Sequence, residues 1–301
     1  MKNFQGRTAV ITGAASGFGL EVSRIAAAKG MNIVMADVQR DALDAAVAEI
    51  TKAGAAVLPY RLDVSKVAEV EGLAAATVER FGAPHVVFNN AGVAVGGLIW
   101  EMTLKEWEWV LGVNLMGVVY GVQAFTPLML AAAKRDPSYE GHIVNTASMA
   151  GLLNAPNMGV YNVSKHAVVS LSETLYHDLH LVTDQVSASV LCPYFVPTGI
   201  SNSQRNQPDD MKSAKLTKSQ LVARAISEKA VSSGKVSAAT VAQAVFDAIA
   251  ADQFYIYSHP QALGNVQSRM EDIVAGRNPS DPFLKRPEIG EQLRKALRAD
   301  D

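Results

Sequence analysis

Short apolar runs and longer amphipathic segments alternate along nearly the whole chain. Apolar runs of this length, bounded by glycine, asparagine or aspartate, are typical of strands buried in a parallel sheet. The runs that predict strands are residues 8–12, 32–36, 57–62, 86–88, 142–147, 186–191 and 254–257. Helical periodicity between them predicts a doubly wound, mainly parallel seven-stranded α/β sheet of the Rossmann type, with helices on both faces.

The segments between the strands show apolar positions at helical spacing. The predicted helices cover residues 17–29, 41–53, 65–81, 103–133, 161–181, 218–230, 237–251, 261–275 and 287–298. Ser65 is the expected N-cap of the third helix, and residues 103–133 are predicted as one long helix. We therefore expect a single catalytic domain over residues 1–257 and a C-terminal helical extension over residues 258–301.

Composition narrows the class of protein. The chain has 301 residues, of which 49% are hydrophobic and 19% charged, and its net charge is −2. This is typical of a soluble globular enzyme, and the absence of a Lys/Arg cluster argues against nucleic acid or an anionic membrane as a partner. The apolar stretch 110–125 is interrupted by Asn114 and Gln123, which favours a buried helix over a membrane span.

The termini and the cysteine content bear on the compartment. The N-terminal residues show no long apolar segment, which argues against a secretory signal. Cys192 is the single cysteine, so no intrachain disulfide can form. A reducing compartment, the cytoplasm, is therefore expected, with Cys192 as a small buried hydrophobe.

A glycine-rich turn joins the first predicted strand to the first predicted helix. Its sequence, Thr12-Gly13-Ala-Ala-Ser16-Gly17-Phe18-Gly19, has the spacing G-x-x-x-G-x-G. Strand, turn and helix together direct backbone N–H groups and the positive end of a helix towards one point, where a pyrophosphate can bind. A simple tight turn is the alternative, but the flanking strand and helix favour a dinucleotide.

The second strand ends in Asp37, where a carboxylate can accept hydrogen bonds from the adenosine ribose. It would repel a 2′-phosphate, and Ser16 adds no positive charge, so NAD is favoured over NADP. Arg40 could swing towards a phosphate and leaves NADP open. A helix N-cap is the alternative role of Asp37.

Tyr161 and Lys165 lie four residues apart and share one face of a predicted helix. A phenol with a pKa near 10 is a poor acid or base at neutral pH, but a neighbouring ammonium favours the phenolate. Ser148 follows the fifth strand and can place its hydroxyl beside the same substrate oxygen. Two surface residues on an ordinary helix are the alternative.

These motifs together resemble the short-chain dehydrogenase/reductase family. The chain contains T-G-x-x-x-G-x-G at residues 12–19, N-N-A-G at 89–92 and Y-x-x-x-K at 161–165, with Ser148 thirteen residues before Tyr161. The resemblance covers residues 5 to about 257. It implies hydride transfer between a nicotinamide and a secondary alcohol or ketone, without a metal.

The resemblance also implies roles for single residues. The catalytic residues would be Asn114, Ser148, Tyr161 and Lys165, with Asn114 holding a water in a proton relay. The cofactor-binding residues would be Gly13, Ser16, Gly17, Phe18, Gly19, Asp37, Asp63, Val64, Asn90, Ala91, Gly92, Tyr161, Lys165, Pro193, Val196 and Thr198. The substrate pocket would be lined by Val93, Val95, Met149, Ala150, Met158, Tyr194 and Phe195, where Tyr194 replaces the family's glycine.

None of the expected pocket residues is charged, so the resemblance favours a neutral, largely apolar substrate. Residues 199–230 would form a lid, which could still contribute charge through Arg205, Lys212 or Lys215. Apolar helices around Asn114 and after Tyr161 predict a homodimer or homotetramer. A non-catalytic NAD-binding sensor or scaffold, and an epimerase or dehydratase, are the alternative functions.

Overall fold

The computed structural model of the protein describes residues 1–211 and 215–298. Its centre is a parallel seven-stranded sheet with the order β3-β2-β1-β4-β5-β6-β7. The strands are β1 (Thr8–Thr12), β2 (Asn32–Asp37), β3 (Val57–Arg61), β4 (Val86–Asn89), β5 (Gly141–Thr146), β6 (Val186–Cys192) and β7 (Tyr255–Tyr257). The strand order reverses between β1 and β4, which is where ligands bind in sheets of this kind. The predicted fold class is confirmed.

Helices cover both faces of the sheet. They are α1 (Gly17–Ala28), α2 (Arg40–Lys52), α3 (Val67–Phe81), α4 (Leu104–Leu111), α5 (Gly117–Arg135), α6 (Gly159–Val182), α7 (Lys218–Ser232), α8 (Ala238–Ala251), α9 (Leu263–Val274) and α10 (Pro287–Arg298). On one face α1, α2 and α8 bury Phe246 and Ile33, and on the other α3 to α6 bury Phe125 and Met129. Each such side chain contributes about 1.5–3 kcal/mol to folding.

The predicted single helix over residues 103–133 is wrong in its middle, where a π-helical segment, Gly112–Met116, separates α4 from α5. The backbone here passes close to the neighbouring loop, since a Cβ added to Gly117 would lie 2.8 Å from Val64 Cγ2. A π-helical turn inserts an additional residue and rotates the side chains that follow. It places Asn114 in the interior, where its exposure is 0%.

The expected helix cap at Ser65 is also wrong, and the alternative cap role of Asp37 is not observed. Helix α3 begins at Val67, and the hydroxyl of Ser65 donates to Asp63 Oδ1 at 2.7 Å instead of capping the helix. The preceding carboxylate offers Ser65 a charged acceptor, which competes with the helix N–H groups. The residue before α2 is Gln39, which provides no side-chain cap, so Asp37 is not an N-cap.

The helical stretch Leu104–Arg135 is long and apolar enough to cross a membrane by length and composition. Core helices of folded proteins meet the same criterion. Here Val118, Phe125 and Met129 of α5 are buried, Phe125 and Met129 in the hydrophobic cluster beneath the sheet. The stretch therefore packs against one face of the sheet in this structure.

Candidate active site

The turn between β1 and α1 has a backbone conformation and close contacts that require glycine at several positions. Gly13 and Gly17 adopt positive φ angles of 65° and 53°, which side chains rarely tolerate. A Cβ at Gly19 would lie 2.2 Å from the main-chain oxygen of Gly13. The turn thereby leaves the N-terminus of α1 open to the cleft above the sheet, where an anion is favoured.

Asparagine and threonine side chains join the carboxyl ends of β1, β4 and β5. The Asn90 N–H donates to Thr12 Oγ1 at 2.9 Å, and Asn90 Nδ2 donates to the Thr12 main-chain oxygen at 3.0 Å. Below them, Asn89 Nδ2 donates to Asn145 Oδ1 at 2.9 Å in the buried interior. These bonds fix the floor of the cleft, and they explain physically why N-N-A-G follows β4.

The carboxylate of Asp37 is held at the tip of β2. Oδ2 accepts the Ala15 N–H at 3.0 Å, and Oδ1 accepts the Gln39 N–H at 3.0 Å. Both bonds come from backbone groups, so they orient the carboxylate while leaving lone pairs for a ligand. Asp37 lines the cleft beside the glycine-rich turn, as a residue that receives a ribose should.

Ser148, Tyr161 and Lys165 meet at the ends of β5 and β6. Lys165 is 3% exposed, its Nζ atom donates to the Thr146 oxygen at 2.8 Å, and burial lowers its pKa to about 8. The Nζ atom lies 5.8 Å from the centre of the Tyr161 ring. The Ser148 hydroxyl accepts the Ala150 N–H at 3.1 Å, which fixes its position at the mouth of the cleft.

The prediction that Lys165 depresses the pKa of Tyr161 is wrong for the protein alone. Burial raises the pKa of Tyr161, and a hydrogen bond with Ser148 lowers it in part. The Lys165 ammonium is itself desolvated and bonded to Thr146, so it offers the phenolate little compensation. A neutral, protonated Tyr161 is therefore the ground state of this site.

The buried side chain of Asn114 forms three hydrogen bonds within the protein. Its Oδ1 atom accepts the Val93 N–H at 2.8 Å, and its Nδ2 atom donates to the Val93 oxygen at 2.9 Å and to Ser164 Oγ at 3.1 Å. Asn114 thereby ties the segment after β4 to the helix that carries Tyr161 and Lys165. Its expected role in holding a relay water stays a prediction.

A cleft of about 660 Å³ brings most of the predicted residues together. Of the catalytic set it is lined by Ser148, Tyr161 and Lys165, but not by the buried Asn114. Gly19 lies beneath the glycine turn rather than on the cleft wall. The predicted cofactor-binding residues that line the cleft are Gly13, Ser16, Gly17, Phe18, Asp37, Asp63, Val64, Asn90, Ala91, Gly92, Tyr161, Lys165, Pro193, Val196 and Thr198.

Only some of the residues predicted to contact the substrate line the cleft. Val93 and Tyr194 line the cleft, whereas Val95, Met149, Ala150, Met158 and Phe195 do not. Met149 is 1% exposed and packs into a core cluster beside β6 and α6. Phe195 lies beside Tyr194, with ring centres 4.4 Å apart, and faces outwards. The loop after β5 turns Met149 inwards, which its position in the sequence does not reveal.

Several residues that line the cleft were not predicted from the sequence. They include Lys105, Glu108 and Trp109 of α4, Ile200, Ser203, Asn206, Gln207, Asp210 and Met211 of the lid, and Val231 of α7. Trp109 lies five residues before Asn114 on the same predicted helix, and this proximity could have placed it near the site. The tilt of α4 and the path of the lid carried no such signal, because both depend on tertiary packing.

Three contacts hold the lid across the cleft. Gln39 Nε2 donates to Asn206 Oδ1 at 2.7 Å, and Lys105 Nζ pairs with Asp210 Oδ2 at 2.5 Å. A third bond, from the Ala94 N–H to Ser203 Oγ at 2.9 Å, anchors the middle of the segment. Of the three lid cations considered above, Arg205 lines the cleft, Lys215 does not, and Lys212 lies outside the described residues.

The C-terminal extension reaches the loops that surround Ser148. The Tyr194 N–H donates to Ser258 Oγ at 2.9 Å, and the His259 ring lies edge-on to Tyr194 at 5.8 Å. Leu263 and Val266 pack against the core cluster that contains Met149. The extension thus supports the wall on which Tyr194 stands, a role that its sequence did not indicate.

The cleft fits a nicotinamide dinucleotide by its glycine cradle, its oriented Asp37 and its catalytic side chains at the opposite end. In residues 1–211 and 215–298, no group of three or more His, Cys, Asp or Glu side chains is placed to hold a metal ion. A sequence model of the family described as short chain dehydrogenase matches residues 7–209. The chain belongs to the short-chain dehydrogenase/reductase family.

Similar proteins agree with this assignment. A crystal structure of a short-chain dehydrogenase/reductase from Burkholderia phymatum in complex with NAD is 50% identical, with a TM-score of 0.91 over 94% of this chain and 99% of that chain. The CLA biosynthesis dehydrogenase/reductase of Lactiplantibacillus plantarum is 32% identical over 283 residues, 93% of this chain and 97% of that protein.

A second curated relative is the 1-deoxy-11-beta-hydroxypentalenate dehydrogenase of Streptomyces exfoliatus, 33% identical over 276 residues, 90% of each chain. This short-chain dehydrogenase/reductase is accordingly an oxidoreductase with a site for a nicotinamide cofactor. The relatives extend well beyond residue 209, so the C-terminal part described above has counterparts in them.

Proposed function

We propose that this protein transfers a hydride between NAD and a neutral, largely apolar secondary alcohol or ketone. The observation that carries the proposal is the meeting of Ser148, Tyr161 and Lys165 in the same cleft as the Gly13–Gly17 turn. The three side chains can transfer the proton of a substrate hydroxyl, and the glycine-rich turn can bind a pyrophosphate. When bound, NAD supplies the nicotinamide ring that accepts the hydride.

Each catalytic side chain receives a role from its surroundings. Tyr161 exchanges the proton of the substrate hydroxyl, and Ser148, fixed by its bond to Ala150, holds the substrate oxygen. Lys165 binds the nicotinamide ribose with the N–H groups that Thr146 does not use. Asn114, whose side chain is tied to Val93 and Ser164, would hold the water of a proton relay with the acceptor capacity that these bonds leave free.

The cofactor preference rests on charge. Asp37 carries the negative charge at the ribose end of the cleft, with both oxygens oriented by backbone N–H groups. A 2′-phosphate there would be repelled by the negative charge of that carboxylate, whereas ribose hydroxyls can donate hydrogen bonds to it. Asp63 and Val64 border the adenine in this arrangement, and Pro193, Val196 and Thr198 border the nicotinamide.

The substrate class follows from the side chains that remain. The apolar residues that line the cleft outside the predicted cofactor set are Val38, Leu62, Val93, Trp109, Val113, Ala147, Tyr194, Ile200, Pro208, Met211 and Val231. The charges of Lys105 and Asp210 neutralise one another. A carboxylated substrate would lose its hydration among these apolar side chains, which offer it no charged partner, whereas a neutral one loses little.

We also propose an organisation for the whole chain. Residues 1–257 form the catalytic domain, residues 199–230 act as its lid, and residues 258–301 form an extension that supports the substrate wall. Apolar side chains exposed on α6, among them Val163 at 42% and Leu181 at 82%, favour a dimer or tetramer in the cytoplasm. Light scattering at micromolar concentration tests the oligomer, and a monomeric mass would contradict it.

A substrate screen tests the proposed reaction. Alcohols and ketones are offered in matched neutral and carboxylated pairs, with NAD or NADP, while nicotinamide absorbance is followed. The proposal predicts turnover of neutral members with the higher kcat/KM for NAD. Faster turnover of the carboxylated members would contradict the substrate class. Binding of NAD without turnover of any member would instead favour a cofactor-binding sensor or scaffold.

A further inference from the structure

The guanidinium of Arg205 is held in a fixed position over the start of the lid. Its Nη1 atom donates to the Gly199 oxygen at 2.6 Å and to the Asn202 oxygen at 2.7 Å. The group packs so closely on Gly199 that a Cβ there would lie 2.9 Å from Nη2. These contacts order a side chain that would otherwise be free, and they engage only part of its five donors.

This position lies between the two ends of the cleft. Gly199 follows Thr198, and Thr198 lies against the first residue of α1, since a Cβ on Gly17 would be 3.5 Å from Thr198 Cγ2. In the other direction Asn206, the next residue after Arg205, bonds to Gln39 beside the Asp37 loop. The chain thus places Arg205 between the N-terminus of α1 and the carboxylate of Asp37. The pyrophosphate of a bound dinucleotide would lie in this part of the cleft.

The charge distribution points the same way. The turn over residues 12–19 contains no lysine or arginine, so its attraction for an anion comes from N–H groups and the helix end alone. Of the other cleft cations, Lys66 stands just before α3 beside the Asp63–Val64 loop, Lys165 is buried against Thr146, and Lys105 is paired with Asp210. Within residues 1–211 and 215–298, no carboxylate forms an ion pair with Arg205, whose partners are carbonyl oxygens.

We propose that Arg205 binds the pyrophosphate of the dinucleotide from the lid side of the cleft. A guanidinium can donate two parallel hydrogen bonds to phosphate oxygens, and these charge-assisted bonds are stronger than neutral ones. This inference rests on the proposed dinucleotide site, but not on the reaction or its substrate.

Binding of cofactor fragments tests the contact without any turnover. Titration calorimetry compares ADP-ribose, which contains the pyrophosphate, with adenosine, which does not, on the wild type and on Arg205→Gln. The variant should bind ADP-ribose roughly tenfold more weakly and adenosine equally well, because one charge-assisted contact is lost. Raising the ionic strength should weaken ADP-ribose binding less in the variant than in the wild type.

A matched control is Arg224→Gln on α7, which removes an exposed lid arginine that pairs with Glu228 outside the cleft. It should leave both affinities unchanged. Equal ADP-ribose affinity in Arg205→Gln and the wild type would overturn the proposal, and so would equal weakening of adenosine and ADP-ribose. If the wild type bound neither NADH nor ADP-ribose, the dinucleotide site itself would be refuted, so the two failures are distinguishable.

Discussion

The Nζ atom of Lys165 donates a 2.8 Å hydrogen bond to the main-chain oxygen of Thr146, the last residue of β5. This bond joins the helix that carries Tyr161 to the strand end that leads to Ser148. It also holds a charged amine where only 3% of the residue is exposed, which costs folding free energy. The site thus accepts a destabilising charge in order to fix the lysine beside the reacting groups.

The buried amine predicts a pH dependence of stability. Burial lowers the pKa of Lys165 from 10.5 to about 8, so the unfolded chain binds the additional proton between these pH values. The free energy of unfolding therefore rises with pH across this window, by at most about 3 kcal/mol, relative to Lys165→Met. Urea unfolding of both proteins at pH 7.5 and pH 10 measures the difference. A difference that is the same at both pH values would contradict the prediction.

The charge of Asp37 predicts the cofactor preference. Asp37→Asn keeps the size of the side chain and an acceptor for one of the two N–H groups, but it removes the repulsion of a 2′-phosphate. The ratio of kcat/KM for NAD to that for NADP should fall at least tenfold. Asp41→Asn, which changes an exposed acid in the first turn of α2, is the control and should leave the ratio unchanged. A higher kcat/KM with NADP in the wild type would refute this role of Asp37.

The support of Tyr194 by the C-terminal extension predicts an effect on substrate binding. Ser258→Ala removes the acceptor of the Tyr194 N–H, a bond worth about 1 kcal/mol, so substrate KM should rise about fivefold. Affinity for NADH, measured by fluorescence titration, should stay the same. Ser268→Ala, which removes an exposed hydroxyl on α9, is the matched control. Loss of NADH affinity in Ser258→Ala would show that the extension supports the cofactor instead.

The packing of α5 on β4 predicts a stability effect away from the reacting groups. A Cβ at Gly121 would lie 2.1 Å from Asn89 Oδ1, within the buried Asn89–Asn145 pair. Gly121→Ala should therefore lower the free energy of unfolding by about 1–3 kcal/mol. Gly264→Ala on α9 meets nothing nearer than Lys285 Nζ at 3.8 Å and should be neutral or slightly stabilising. Equal effects of the two substitutions on urea unfolding would contradict this account.

The sequence predicted the sheet and the reacting groups because local patterns determine both. Buried parallel strands read as apolar runs, and the close contact between Gly19 and Gly13 requires glycine at fixed spacing. Tyr161 and Lys165 share a helix face by their separation alone. The strand boundaries shifted by at most one residue at either end, as the run 86–88 became Val86–Asn89.

What the sequence did not predict depends on tertiary contacts. The π-helical segment ends beside the close approach of Gly117 to Val64, and within it Asn114 bonds to Val93. The inward turn of Met149 follows from packing beside β6 and α6. The contact between Ser258 and Tyr194 joins residues 64 positions apart and follows no repeating pattern.

The central claim is that Tyr161 transfers the proton in a nicotinamide-dependent reaction. Tyr161→Phe removes only the phenolic oxygen, so the account predicts a fall in kcat of about 10²–10⁴ with nearly unchanged NADH affinity. Tyr60→Phe, on strand β3 of the opposite sheet edge, is the control and should turn over normally. Steady-state kinetics together with NADH titration on the three proteins decide the question. Near-normal turnover by Tyr161→Phe would contradict the account.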